Sequence, residues 1–169
     1  MRIRKTKPSD LDRIMRIYEG ARRFMAEHGN PRQWGNNLWP PRELIERDVA
    51  EGHSYVCESD AGETVGTFFF VCGRDVEPCY RVIRDGEWTG GDSYGVVHRI
   101  ASDFSEKGIG SFCLNWAYEN CRNLRIDTHG DNYVMQSLLR KLGFRRCGII
   151  YVEQDPEPRI AFEKTKENT

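Results

Sequence analysis

The apolar positions of the chain repeat with two different periods, and each change of period marks a secondary-structure element. In the first half, steps of three and four residues predict helices, and runs of β-branched and aromatic residues predict strands. The predicted order is a strand at 3–6, a helix from Pro8 to about His28, a helix over 40–52, and a strand pair at 54–58 and 64–72.

In the second half, strands and helices alternate. The predicted order is a strand ending at 98–102, a helix over 109–121, a strand at 124–128, a helix opened by Asn132, and strands at 145–153 and 159–164. A turn at 155–158 is expected to join the last two strands. The residues from Thr165 onward are expected to fray.

A polar turn with two glycines, Gly108 and Gly110, precedes the third predicted helix. The first turn of a helix has backbone N–H groups without internal partners, and the helix dipole adds positive partial charge there. Glycines allow a phosphate to approach that backbone closely, and Lys107 adds a full positive charge. The sequence therefore predicts an anion site for a phosphate or pyrophosphate.

Three known glycine motifs can be compared with this turn. The Walker loop, G-x-x-x-x-G-K-S/T, is absent from the sequence. The dinucleotide fingerprint G-x-G-x-x-G fits Gly108 and Gly110, but Cys113 occupies its third glycine position. Asp127 and Asp131 lie near the distance of a ribose-binding acid, so a nucleotide-binding oxidoreductase stays open as a weaker alternative.

The third motif is the acyl-CoA loop of the GNAT acetyltransferases, Gln/Arg-x-x-Gly-x-Gly/Ala. Residues 105–110, SEKGIG, resemble it at every position except the first, where Ser105 replaces Gln or Arg. Further along, Asn132 opens a Leu-containing helix, and residues 140–144, RKLGF, resemble the closing segment of the same family. The two segments occur in the right order and at the right separation, so the chain resembles the GNAT N-acetyltransferase superfamily.

This resemblance implies a fold and a place for the cofactor. The expected fold is α/β (α+β), a mixed, mostly antiparallel sheet of about seven strands flanked by about four helices, with strands 4 and 5 splayed. A single GNAT-type domain is expected to span residues 1–169, which is long enough for one sizeable core. The pantetheine arm of the cofactor is expected to lie between the splayed strands.

The resemblance also assigns residues to acetyl-CoA, the expected co-substrate. Backbone groups at 100–102 are expected to pair with the pantetheine amides, and the N–H groups at 107–111 to hold the pyrophosphate. Asn132 is expected to bond to the cofactor or to the splayed strand. The expected cofactor-binding residues are Ile100, Ala101, Ser102, Lys107, Gly108, Ile109, Gly110, Ser111 and Asn132.

The implied reaction is direct transfer of an acetyl group from the thioester to a primary amine. An alkylamine has a pKa of about 10.4 and is mostly protonated at neutral pH, so a base or a proton wire is needed. The candidates for this base are His98, on strand 4 beside the expected thioester, and Asp127 and His129 near the end of strand 5. Backbone N–H groups near Ile100 are expected to stabilise the oxyanion.

The residue at the usual position of the general acid differs from the family pattern. Many GNAT proteins carry a Tyr four residues before the glycine of the closing GF pair, and this chain has Leu139 there. Tyr133 or Tyr151 would have to act in its place, or no side chain does. A catalytically weak or inactive protein that binds acyl-CoA as a sensed ligand is therefore the alternative function.

The acceptor amine is left open by the sequence. In GNAT proteins the segment after the first helix commonly lines the acceptor pocket, which would make Trp34 and Trp39 substrate-binding residues. The equal alternative is that both Trp side chains cap the core, because Trp is usually largely buried. Small amines, peptide N-termini and lysines all fit the expected cofactor site. Dimerisation is common in the GNAT family, so the resemblance also suggests a homodimer, although no interface is recognisable in the sequence.

Composition narrows the expected partners. The net charge is −1 and the basic residues are dispersed, which argues against a nucleic-acid partner. No apolar run approaches the length of a membrane span, and residues 1–5 lack the apolar core of a signal peptide, so we expect no membrane partner and a cytoplasmic location. The six cysteines include no C-x-x-C pair, so we expect no metal site.

Overall fold

The structure is a computed structural model that describes residues 1–166. The strands are β1 (Arg2–Lys5), β2 (Ser54–Glu58), β3 (Thr64–Arg74), β4 (Ser93–Ser102), β5 (Asn123–His129), β6 (Arg145–Val152) and β7 (Asp155–Thr165). The helices are α1 (Leu11–Glu27), α2 (Arg42–Ala50), α3 (Ile109–Cys121) and α4 (Tyr133–Lys141). The element order is the one predicted from the periods of the apolar residues.

The strands form one open, mixed sheet in the order β1-β2-β3-β4-β5-β7-β6. The β1–β2, β2–β3, β5–β7 and β6–β7 pairs are antiparallel, and β4 and β5 are parallel. Within residues 1–166, the β4–β5 ladder consists of Gly95 opposite Leu124 and Val96 opposite Arg125. Such a short ladder at the start of two longer strands is expected of strands that splay, and the predicted fold class is confirmed.

The described residues form two compact units. Unit 1 comprises Met1–Phe70 and His98–Trp116, and its core is built on α1, whose apolar stripe is buried. The buried residues of that stripe are Leu11, Ile14, Ile17, Tyr18 and Ala21. Ile45 of α2 and Val56 of β2 pack in the same cluster. Each large apolar side chain buried in this way contributes about 1.5–3 kcal/mol to folding. The expectation of a single domain stays a prediction.

Unit 2 comprises Val71–Val97 and the described chain from Ala117 onward. Its apolar core contains Tyr80, Tyr94, Val96, Ile150 and Ala161. Beside this core, unit 2 also buries a hydrogen-bonded ion pair.

The buried ion pair joins Glu163 of β7 to Arg125 of β5. The Glu163 side chain is completely buried, and its Oε1 accepts a hydrogen bond from Arg125 Nε at 2.8 Å. Its Oε2 accepts from the Thr89 N–H at 2.7 Å, the Thr89 hydroxyl at 2.8 Å and the Gly90 N–H at 3.0 Å. The carboxylate therefore connects two strands to the β3–β4 connection.

Two predictions at the C-terminal end were wrong. The turn predicted at 155–158 is part of β7, and the chain turns at Glu153 and Gln154 instead. Pro156 and Pro158 are tolerated in this strand because the β5–β7 ladder ends at Arg159, so their missing N–H groups remove no bond from that ladder. Thr165 does not fray but ends β7, and the rest of the predicted tail, 167–169, lies outside the described residues.

No helix within residues 1–166 has both the length and the apolar composition needed to cross a bilayer.

Candidate functional site

The glycine turn before α3 lies open at the positive end of that helix. Gly108 has φ +86°, a left-handed conformation that favours glycine, and its carbonyl accepts the Phe112 N–H at 2.9 Å. A Cβ added to Gly108 would meet no atom within 4 Å, and Lys107 beside it is exposed. The turn therefore combines an exposed glycine at a helix start with an exposed cation, as predicted for an anion site.

Gly66 of β3 fixes where this helix begins. A Cβ at Gly66 would lie only 2.7 Å from Ile109 Cγ2 and 3.4 Å from the Ala101 carbonyl oxygen. The absence of a side chain at Gly66 thus allows the first residue of α3 to pack directly against β3. The glycine turn is held close to the C-terminal end of β4 for the same reason.

Asp103 anchors the loop between β4 and the glycine turn. Its Oδ1 accepts the Ser105 N–H at 3.0 Å and the Ser105 hydroxyl at 2.6 Å, and its Oδ2 accepts a hydrogen bond from Arg13 of α1. Ser105 is the position at which the motif departs from Gln or Arg. Its side chain therefore contributes to the shape of the loop.

β4 contains an irregular position that the sequence analysis did not predict. Arg99 has φ +53° in the middle of the strand, and this left-handed conformation costs about 1–2 kcal/mol for a residue with a Cβ. The Tyr18 hydroxyl donates to the Arg99 carbonyl at 2.8 Å. The Arg99 guanidinium donates to Asp48 Oδ2 at 2.7 and 3.0 Å and lies 4.6 Å from the centre of the Phe69 ring. These three contacts hold the strand in its irregular form.

Burial shifts the pKa values of Asp48 and Tyr18, the two side chains that contact Arg99 by hydrogen bonds. Burial raises the pKa of Asp48, and the nearby Arg99 guanidinium, which favours the carboxylate, offsets part of that increase. Burial also raises the pKa of Tyr18, so its hydroxyl keeps its proton and stays a hydrogen-bond donor. A neutral phenol therefore faces the Arg99 carbonyl, and the Asp48 carboxyl faces the Arg99 guanidinium.

His98 lies in the same unit as the residues predicted to bind the cofactor. Its ring is half-buried on β4, with its centroid 5.8 Å from that of Phe69. Ala101 is buried, while Ile100 and Ser102 are half-buried. Unit 1 thus brings together His98, residues 100–102 of β4 and the turn at 107–111.

His129 of unit 2 is buried, and both of its ring nitrogens are engaged. Nδ1 accepts the Asp131 N–H at 3.0 Å, and Nε2 contacts Glu157 Oε2. This pattern places the ring proton on Nε2, where it is donated to the carboxylate. A general base needs a lone pair, so these hydrogen bonds disfavour His129 in that role.

Other residues of unit 2 named in the sequence analysis lie on β5 and in or directly before α4. Asn132 is the N-cap of this helix, and its Oδ1 accepts the Met135 N–H at 3.1 Å. Tyr133 is exposed, and Leu139 is completely buried. Asp127 accepts a hydrogen bond from the Tyr80 hydroxyl at 2.7 Å. The roles predicted for Asn132 and Tyr133 stay predictions.

Trp34 and Trp39 belong to the core of unit 1. Trp34 is buried, and its ring meets the Tyr18 ring edge to face with centroids 5.8 Å apart. Trp39 packs against the same cluster. These positions favour the core-capping interpretation for Trp34, and a substrate contact of either Trp stays a prediction.

Comparison with solved structures reveals a similar protein. An acetyltransferase of the GNAT family from Streptococcus agalactiae is 31% identical to this chain, with a TM-score of 0.86. The alignment covers 98% of this chain and 95% of that chain. The chain belongs to the GNAT family.

Other solved structures share the GNAT fold at lower identity. A putative acetyltransferase from Staphylococcus aureus is 24% identical with a TM-score of 0.69, and the alignment covers 98% of this chain and 99% of that chain. A GNAT-family acetyltransferase from Listeria monocytogenes is 19% identical with a TM-score of 0.69, over 96% of this chain and 93% of that chain. No family model matches the sequence, and no curated protein matches it.

The glycine turn was predicted from the sequence, but the residues that shape β4 were not. Tyr18, Asp48 and Arg99 come from α1, α2 and β4, and no motif connects them in sequence. The available signal was a charged residue, Arg99, inside a strand that is otherwise mainly apolar. That signal indicates a buried ion pair but does not identify its partner.

Proposed function

We propose that this protein is an N-acetyltransferase that moves an acetyl group from acetyl-CoA directly to a primary amine. The observation that carries the proposal is the open turn at Gly108, with Lys107 beside it, at the start of α3 in a chain of the GNAT family. An uncovered helix start with a positive-φ glycine suits a pyrophosphate, because the backbone N–H groups can approach the anion without obstruction by a side chain.

The proposed contacts to acetyl-CoA are the backbone of Ile100, Ala101 and Ser102 and the N–H groups at 107–111. When bound, acetyl-CoA supplies an activated carbonyl carbon. The left-handed conformation at Arg99 interrupts the extended backbone of β4 directly before Ile100. We assign the Ile100 N–H to hydrogen bonding with the acetyl oxygen on this basis, which would stabilise charge that develops there.

His98 is the proposed general base, since it lies on β4 one residue before Arg99 and an imidazole ring nitrogen can take up the proton of an amine. Replacing His98 with alanine is expected to lower kcat by about 100-fold with little change in acetyl-CoA affinity. Release of free CoA thiol measures turnover, and a binding titration measures affinity.

His129→Ala is the matched comparison for His98→Ala. This variant loses the contacts of a buried ring to Glu157 and the Asp131 N–H, so its main expected effect is a lower melting temperature. Full turnover in both variants would remove both histidines from the reaction and leave proton removal to another group.

The function is tested by combining a binding measurement with a turnover measurement. Acetyl-CoA, but not NAD, is expected to raise the melting temperature. Thiol release should then depend on an added amine, supplied as a panel of small amines, peptides with free N-termini and lysine-containing peptides. Stabilisation by NAD alone would contradict the proposal.

An acyl-CoA-binding sensor is the second candidate function. The observation that favours it is the completely buried Leu139, at the position where many GNAT proteins carry a Tyr that acts as the general acid. Stabilisation by acetyl-CoA without thiol release for any amine in the panel would select this second candidate.

A further inference from the structure

Unit 2 contains a cavity of about 540 Å³ that the proposed acetyl transfer does not use. It is lined by Arg74 of β3, by residues of the β3–β4 connection, by Tyr94 of β4 and by Arg125 of β5. Small-molecule sites typically have volumes of about 300–1,000 Å³. The cavity is therefore large enough for a small metabolite.

Arg125 provides a buried cation in the lining of this cavity. Its side chain is 6% exposed, and two of its three guanidinium nitrogens have partners: Nε donates to Glu163, and Nη2 donates to the carbonyls of Gly90 and Gly91 at 3.2 Å each. The third nitrogen, Nη1, makes no hydrogen bond to any residue between 1 and 166. A buried guanidinium with an unused nitrogen is suited to donate a hydrogen bond to one oxygen of a ligand.

Aromatic rings surround the Arg125 guanidinium. Its central carbon lies 3.9 Å from the centre of the Tyr94 ring and 4.5 Å from that of Trp88. The Tyr80 and Trp88 rings are 5.0 Å apart, and the Trp88 indole N–H donates to the Tyr80 carbonyl at 2.9 Å. These contacts fix the rings, so the cavity has rigid apolar surface next to its cation.

The rim of the cavity carries two ion pairs that can open easily. Arg74 lies 3.4 Å from Asp92, and Arg81 lies 3.0 Å from Asp75, and all four side chains are at least half exposed. Exposed pairs of this kind contribute about 0–1 kcal/mol each, so either arginine can turn toward a ligand at little cost. The rim therefore does not block entry.

We propose that this cavity binds a small molecule with one carboxylate on an aromatic or apolar body. One carboxylate oxygen accepts from Arg125 Nη1, and the body lies against the half-buried ring of Trp88. A monoanion suits the site better than a phosphate dianion, because Glu163 already balances the charge of Arg125 from behind. The inference concerns unit 2 alone and does not depend on the proposed acetyltransferase activity.

The test uses the indole N–H signals of the four Trp residues in a proton–nitrogen correlation spectrum of the whole chain. Trp88→Phe assigns the Trp88 signal by its disappearance. Titration with 3-phenylpropionate is expected to shift that signal with saturation, while the Trp34 signal stays in place. The neutral isostere 3-phenylpropanamide should bind about tenfold more weakly, since it lacks the charge that strengthens the bond to arginine.

Rim variants provide a control that does not disturb the buried network. Arg81→Glu should weaken 3-phenylpropionate binding by about threefold or more through like-charge repulsion. Arg84→Glu makes the same charge change at an exposed residue three positions away and should leave binding unchanged. The proposal is overturned if the Trp88 signal does not saturate, if the amide binds as tightly as the acid, or if both charge reversals have equal effects.

Discussion

Replacing Glu163 with alanine is expected to lower the free energy of unfolding by about 3–5 kcal/mol. The change leaves the Arg125 guanidinium buried without its counterion and removes the acceptor of the Thr89 and Gly90 N–H groups. Breaking one side of a buried ion pair is costly, because the remaining charge keeps its desolvation penalty. Urea denaturation followed by circular dichroism measures the effect.

Glu119→Ala is the matched control for this substitution. Glu119 also pairs with an arginine, Arg122, but both side chains are more than half exposed. Its loss should therefore change the free energy of unfolding by no more than about 0.5 kcal/mol. Equal decreases in the free energy of unfolding of the two variants would show that the buried Glu163 network stabilises the fold no more than an exposed ion pair does.

The same carboxylate predicts a dependence of stability on pH. Burial raises the pKa of Glu163, but hydrogen bonds from Arg125, Gly90 and Thr89 lower it by more, and the net pKa lies below the usual value. A depressed folded-state pKa contributes stability that is complete above the unfolded pKa of about 4.3 and is lost as the pH falls through the folded value.

The stability of the wild type should accordingly fall more steeply below about pH 4.3 than that of Glu163→Gln, which cannot titrate at this position. Urea midpoints measured at a series of acidic pH values compare the two proteins. If the urea midpoints of the two proteins fall equally as the pH decreases, the pH dependence does not come from Glu163.

Replacing Gly108 with glutamate is expected to weaken acetyl-CoA binding by about 100-fold or more. The side chain would occupy the open space above the turn and place a carboxylate where the proposed pyrophosphate binds. Its negative charge would also compete for the backbone N–H groups at the start of α3. Isothermal titration calorimetry with acetyl-CoA measures the change.

Gly62→Glu separates this effect from backbone strain. Gly62 lies in the β2–β3 turn with φ +82°, close to the +86° of Gly108, and an added Cβ meets no atom within 4 Å at either position. Both variants should lose about 1–2 kcal/mol of stability from the left-handed conformation. Only Gly108→Glu should lose affinity, and equal affinities for acetyl-CoA would show that the cofactor is placed wrongly.

The sequence predicted those features of the fold that arise from local periodicity. Helical stripes and strand runs identified each helix and strand, because a buried face repeats its apolar residues at the period of its element. The turn at 155–158 was misplaced because two prolines suggested a turn, whereas the β5–β7 ladder ends at Arg159 and tolerates both prolines before it. Whether a ladder needs a particular N–H depends on partners distant in sequence.

The candidate site was predictable only in part, for a similar reason. The glycine turn is encoded by a continuous segment, so its residue types could be compared with known loops. The surroundings of His98 and His129 depend on side chains from several elements, including Glu157 and Phe69. Residue type alone could not show that one histidine ring is fully engaged in hydrogen bonds.

The irregular conformation at Arg99 is a property of three separate segments of the chain. A phenol from α1, a carboxylate from α2 and a ring from β3 together hold one residue of β4 in a left-handed conformation. If the β4 sequence were moved into a related protein without Tyr18, Asp48 and Phe69, the strand would therefore not keep its conformation at position 99. We therefore expect substitutions of Tyr18, Asp48 or Phe69 to change the backbone conformation at position 99, although the four positions are far apart along the chain.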